Sequence, residues 1–121
     1  LDIIFGEFIK NKRNEKEITL RDMAKRLDIA PSYLSDIEKG RRYAPDKEKL
    51  VEIASILNLN TEEKNYMFDL AGKTKESIAP DLPEIIMEHE KASVLLRKAK
   101  EKNLTEKSWD KLIKIIEEQD R

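Results

Sequence analysis

Ser32, Tyr33, Ser35, Asp36 and Lys39 fall on the outward side of a short stretch, PSYLSDIEK, whose inward positions are Leu34 and Ile37. Hydroxyls, a phenol, a carboxylate and an ammonium in that arrangement suit hydrogen bonding to an extended polar surface better than bond-breaking chemistry. The edges of DNA bases are such a surface, because the major groove carries a donor and acceptor pattern that differs between base pairs. Asp36 can accept from a cytosine amino group, although a carboxylate also repels phosphates. Tyr33 can lay its ring on a thymine methyl or put its hydroxyl on a phosphate, and packing along the helix surface is the plainer alternative. Just beyond, Arg41 and Arg42 can anchor phosphates as a loop rides along a DNA backbone, where the plainer reading is a solvated turn.

Other chemistry finds little support. Serines, aspartates and a single histidine, His89, are present, but no nucleophile elbow, glycine-rich loop or metal-ligand spacing links them. With no cysteine, a disulfide framework and thiol chemistry are excluded, and a zinc site has too few ligands. No enzyme activity, metal or cofactor is expected, and His89 reads as a surface or helix-end residue. No apolar run approaches the ~18 residues that span a bilayer, and the start of the chain lacks a secretory leader pattern. A soluble, cytoplasmic protein without membrane contact is the expectation.

The elements that must position the polar side chains can be read from the same stretch. Thr19 can accept a backbone N–H as an N-cap, Asp22 puts a carboxylate in the first turn, and Ile18 can staple onto Met23. A helix therefore starts at about Leu20, with Met23, Ala24 and Leu27 as an apolar stripe at helical period. Asp28 can close it in the left-handed conformation, and Ile29 is the buried residue of the turn. Pro31 fits the first position of the next helix, where its missing donor costs nothing, and Gly40 ends that helix. Two short helices joined by a tight turn form a helix-turn-helix, which can seat its second helix in a major groove.

These residues resemble the helix-turn-helix family of the lambdoid phage repressors and Cro, the XRE family, over about Phe5 to Leu70. The resemblance implies a first helix with Phe5 and Ile9 in the core and a fourth with Leu50, Ile53, Ala54 and Leu57 inward. It implies an ion pair between Arg13 and Glu38 that ties the first helix to the recognition helix. It also implies DNA contacts from Ser32, Tyr33 and Asp36, with Pro31, Ser35 and Lys39 beside them; Thr19, Arg41 and Arg42 complete the candidate DNA-binding residues. Two positions depart from the family pattern: Leu20 stands where a phosphate-holding glutamine is common, and Asp28 where the turn glycine is usual.

Charge is distributed in keeping with this. Charged residues are 40% of the chain and the net charge is only −1, so the total does not advertise nucleic acid. Between Lys10 and Lys49, however, twelve basic residues face eight acidic ones, and after Lys75 nine face eleven. A DNA-binding part attached to a non-binding part would carry charge this way.

The remaining sequence predicts a first helix from near Asp2 to near Glu15, a fourth capped by Asp46, and a fifth after Thr61 with Tyr66, Met67 and Leu70 inward and Gly72 as its stop. Beyond two prolines, Pro83 opens another helix, Ala92 to Lys102 a further one with Leu95, Leu96 and Ala99 inward, and Thr105 caps the last. Trp109, Leu112, Ile113 and Ile116 then repeat at helical spacing. The expected architecture is all-α: a five-helix lambda-repressor-like DNA-binding domain over 1–72, a connector over 73–83, and a C-terminal helical extension over 84–121. Such short helices cannot bury their apolar faces alone, so they must pack on the first domain, on each other or on another chain; Leu95, Trp109, Leu112, Ile113 and Ile116 are assigned to contact with a second copy or a protein partner.

The function implied is a transcriptional regulator, a repressor binding double-stranded DNA as a homodimer on a two-fold operator. Two alternatives remain open on the residues. One is an antitoxin whose C-terminal helices wrap a toxin while the helix-turn-helix represses their operon. The other is an adaptor that keeps the fold without binding DNA.

Overall fold

A computed structural model describes residues 4–119, and among them the secondary structure is eight helices. They are α1 (Ile4–Glu15), α2 (Leu20–Leu27), α3 (Pro31–Glu38), α4 (Lys47–Ile56), α5 (Thr61–Thr74), α6 (Leu82–Glu88), α7 (Glu90–Lys102) and α8 (Glu106–Glu117). The expected start of the first helix near Asp2 lies outside the described residues. The chain divides into two compact units, one running to Leu82 and one from Pro83.

The first unit is built round one apolar core. Phe5 and Ile9 of α1, Met23, Ala24 and Leu27 of α2, Leu34 and Ile37 of α3 and Leu50, Ile53 and Ala54 of α4 are all buried, as is Leu57 at the end of α4. Each set lies at helical spacing, so burying one face of each helix closes the core. α1 packs on α3 and α5, and α2 on α3 and α4. In α5 the buried residues are Met67, Phe68, Leu70, Ala71, Gly72 and Thr74. Tyr66, expected inward, is instead exposed, its ring edge-on to Phe8 at 5.4 Å, because the stripe of α5 that meets the core runs through Phe68.

Two further expectations for α5 are corrected. Its N-cap is Asn60, one residue before Thr61, in a reciprocal capping box: Asn60 Oδ1 accepts from the Glu63 N–H at 2.8 Å and Glu63 Oε1 from the Asn60 N–H at 3.0 Å. Gly72 does not stop the helix, which continues to Thr74. The absence of a side chain there serves a close approach, because a Cβ at Gly72 would collide with the backbone of Ile78 as the chain folds back.

Most helices end in the same way. Glu17, Asp28, Asn58, Glu76 and Asn103 take φ between 51° and 57°, and the N–H groups around each bond back to the last turn as in a Schellman motif. At Asp28 these bonds are Asp28 N–H to Lys25 C=O at 3.1 Å and Ile29 N–H to Ala24 C=O at 3.0 Å. Ile18, Ile29 and Leu59 follow such ends in the first unit and pack on the core, so the turn itself is stapled.

The second unit holds most of α6, together with α7 and α8. α7 has His89 as N-cap, and α8 has Thr105, whose hydroxyl accepts from the Ser108 N–H at 3.2 Å. Leu95 and Leu96, expected inward, are about half exposed, and Ala99 is the buried residue of α7. Short helices of this size cover one small residue between them and leave the larger ones in water. Among the described residues no helix is long and apolar enough to cross a membrane.

Candidate nucleic-acid interface

α2 starts on Thr19, whose hydroxyl accepts the Asp22 N–H at 3.0 Å, and Asp22 pairs with Arg26 at 2.8 Å one turn later. α3 starts with Pro31 at its first position after Ala30, and it ends in a Schellman motif in which Gly40 N–H bonds to Ile37 C=O and Arg41 N–H to Asp36 C=O. Leu20, at the family's glutamine position, is half-buried and packed against the core. It offers a phosphate no polar group.

The inner side of α3 is fixed to α1 in two places. Arg13 presents a fork to Glu38, Nε to Oε2 at 2.8 Å and Nη2 to Oε1 at 3.0 Å, while Nη1 donates to the Ile18 carbonyl at 2.9 Å. Both side chains are buried, at 9% and 4% exposure. The hydrogen bond to Glu38 raises the guanidinium's pKa above its ordinary value against the opposing effect of burial. About two turns earlier in α1, Gly6 lies against the backbone carbonyls of Ile37 and Glu38, so close that a Cβ would collide with both. From the other side, Lys49 of α4 donates to the Leu27 carbonyl at 2.7 Å and holds the end of α2.

The outer side of α3 carries the candidate contacts. Pro31, Ser32 and Lys39 are exposed, and Tyr33, Ser35 and Asp36 are half-buried. The exposed arginines that follow reach back onto this helix. The Arg42 guanidinium lies over the Tyr33 ring at 5.6 Å, and Arg41 Nη1 is 3.7 Å from Asp36 Oδ1. The fold thus groups Tyr33 with Arg42 and Asp36 with Arg41. Each pairing gives an arginine a preferred direction at small energetic cost. It also offsets the Asp36 carboxylate with a cation beside it, which eases the repulsion from phosphates that the residue type alone suggests.

The apolar candidates of the second unit separate into two sets. Leu95 and Leu112 line a groove of about 340 Å³ between α7 and α8, together with Ala99, Leu104, Lys98, Lys102 and Lys111. Trp109, Ile113 and Ile116 are exposed outside it. Among the described residues no group of three or more His, Cys, Asp or Glu is placed to hold a metal ion.

Residue types alone did not single out four positions of the first unit: Gly6, Lys49, Thr74 and Tyr43. Gly6 sits seven residues before Arg13 on the same face of α1, which was the available signal. Tyr43 is an exposed aromatic beside two arginines. Lys49 and Thr74 act through bonds to segments distant in sequence and carried no local mark.

A helix held on its inner side and presenting hydrogen-bonding groups outward, within a five-helix unit, is the arrangement of a helix-turn-helix domain. Residues 9–64 match the family model described as Helix-turn-helix. The "ImmF control region 10 kDa protein" of Bacillus phage phi105 is 47% identical over 55 residues, covering 46% of this chain and 60% of that protein. The "HTH-type transcriptional regulator SinR" of Bacillus subtilis is 32% identical over 57 residues, 47% of this chain and 51% of that one. The "Immunity repressor protein" of Bacillus phage phi105 is 29% identical over 98 residues, 74% of this chain and 67% of that one. The chain thus spans about 60% of the first of these relatives. No solved structure gives a significant match.

Proposed function

We propose that the protein is a sequence-specific transcriptional repressor that acts in the cytoplasm as a homodimer on a two-fold operator. The observation that carries this reading is the two-sided character of α3. Its inner side is immobilised by Arg13, Glu38 and Gly6, and its outer side bears Ser32, Tyr33, Asp36 and Lys39, with Arg41 and Arg42 alongside. The regulators and the immunity repressor among its relatives support it. Repression follows from occupying promoter DNA, with Arg41 and Arg42 on phosphates and the middle of α3 on bases.

One such head makes few base contacts, and two-fold pairing doubles them with half-sites ~34 Å apart. The exposed apolar residues of α7 and α8, among them Leu95, Trp109, Ile113 and Ile116, are the surface we assign to that pairing.

Selection of bound sequences from a random DNA library tests the reading. The wild type should enrich an inverted repeat. The double variant Arg41→Ala/Arg42→Ala should bind every sequence more weakly without changing preference, and Asp36→Asn should change the preferred base at one position of each half-site. Enrichment of no sequence at low salt would sink the proposal in favour of a non-binding adaptor. A chain that is monomeric until co-expressed with a small protein partner would favour the antitoxin reading over the homodimer.

A further inference from the structure

The segment between α3 and α4 carries Arg41, Arg42 and Tyr43, and it is tied to a helix remote in sequence. Ala44 is buried, and its N–H donates to Thr74 Oγ1 at 3.3 Å across a separation of 30 residues. Thr74 is the last residue of α5 and is itself buried, at 6% exposure. Its hydroxyl proton is already committed, donating to the Ala71 carbonyl at 2.8 Å. That bond fixes the side-chain rotamer and turns an oxygen lone pair to the loop. On the other side the loop is fixed by the bond from the Arg41 N–H to the Asp36 carbonyl at 2.8 Å. Arg41 and Arg42 are therefore held between two anchored points of backbone, one on α3 and one on α5.

We propose that Thr74 is a positioning residue for DNA binding: through the Ala44 N–H its hydroxyl sets the path of the Arg41–Tyr43 segment, so that both guanidiniums meet phosphates without the loop having first to be ordered. This rests on the reading of Arg41 and Arg42 as phosphate anchors. Thr74 touches no DNA in this scheme, and its contribution is the ordering that a free loop would undergo on binding. Valine at this position keeps the shape and removes the acceptor, whereas serine keeps the acceptor.

The test uses a labelled mixed-sequence duplex and the full chain, titrated between about 50 and 200 mM salt. Circular dichroism confirms that each variant is folded at the temperature used. Thr74→Val should weaken binding about tenfold and flatten the dependence of log affinity on log salt, as expected when fewer phosphates are engaged. Thr74→Ser should restore both. In the Arg41→Ala/Arg42→Ala background, Thr74→Val should have no further effect. An unchanged affinity and salt slope for Thr74→Val, beside a clear loss for the arginine variant, would overturn the role of Thr74 alone. An equal loss from Thr74→Val in both backgrounds would also overturn it, because the hydroxyl would then act on the fold and not on the loop. If the arginine variant binds like the wild type, the anchor reading fails and this inference falls with it.

Discussion

At the scale of single residues, the buried pair of Arg13 and Glu38 shows how a polar contact can specify geometry without adding much net stability. Two ions leave water to form it, and their attraction offsets that cost only because both prongs of the guanidinium are used and its third group finds the Ile18 carbonyl. Arg13→Ala or Glu38→Ala should each destabilise the protein by ~3–5 kcal/mol in urea unfolding, because one charge is left buried without its partner. Arg13→Met combined with Glu38→Leu should recover most of that loss, while DNA affinity stays reduced because the orientation of α3 is no longer fixed by a fork. Full recovery of affinity in the double variant would mean the pair does not orient the helix. The helix ends offer a second test. Glu17 holds a left-handed φ of 57° on an exposed site, a conformation that costs a residue with a Cβ ~1 kcal/mol. Glu17→Gly should therefore raise stability by a fraction of that figure, measured as a higher urea midpoint at unchanged slope.

At the scale of elements, α1 is the platform on which the recognition helix is mounted, and Gly6 sets the distance between them. Gly6→Ala should push α3 away, costing ~1–3 kcal/mol as an overpacked contact does, and should weaken DNA binding more than a core substitution of equal cost elsewhere, such as one in α5. α1 is joined to α5 by Lys12 and Glu63. The hydrogen bond from Lys12, then the one from the Asn60 N–H, holds the Glu63 carboxyl below its ordinary value near 4.5, and the Glu63 hydrogen bond raises Lys12 above 10.5. A lowered carboxyl pKa contributes stability above the unfolded value, and that contribution is lost as pH falls through the folded one. Stability should accordingly decline on acidification below about pH 4.5, and Glu63→Gln should make that decline shallower in unfolding curves taken at successive pH values. These relationships were only partly legible in the sequence. The caps at Thr19 and Asp46, the Schellman end at Asp28 and the stripe of α2 depend on neighbours within one turn, so they could be read directly. Asn60 was displaced by Thr61, because both residue types cap well and only the backbone path chooses between them. Gly72 looked like a stop because a glycine near a helix end usually is one, yet the return of Ile78 against it is a tertiary event.

At the scale of the whole molecule, the two units differ in how far each satisfies itself. The first encloses a core of large apolar side chains from α1 to α5, whereas the second buries only Ala99 among its described apolar residues and leaves Ile85, Met87, Leu95, Trp109, Ile113, Ile115 and Ile116 in contact with water. If that surface joins two copies, Trp109→Glu or Ile116→Glu should yield monomers in sedimentation while the unfolding transition of the first unit stays in place. Binding to a full operator should then fall towards that of a half-site. The single tryptophan lies on this surface, so its emission should shift to shorter wavelength as concentration rises and the subunits pair. Sequence alone determined the stripes of α2 and α3 and the caps at Thr19 and Asp46, because helical periodicity and capping are local; the buried positions of α1 and α4 were legible through the family resemblance, and the stripe of α5 was legible only in part. Sequence did not determine which bonds join distant segments. The fork of Arg13 was legible only through resemblance to a family, and the grip of Thr74 on the arginine loop, the seat of α3 on Gly6 and the two arginines folded back over Tyr33 and Asp36 were not legible at all. Each depends on the distance between backbones brought together by the core, and only the tertiary structure fixes that distance.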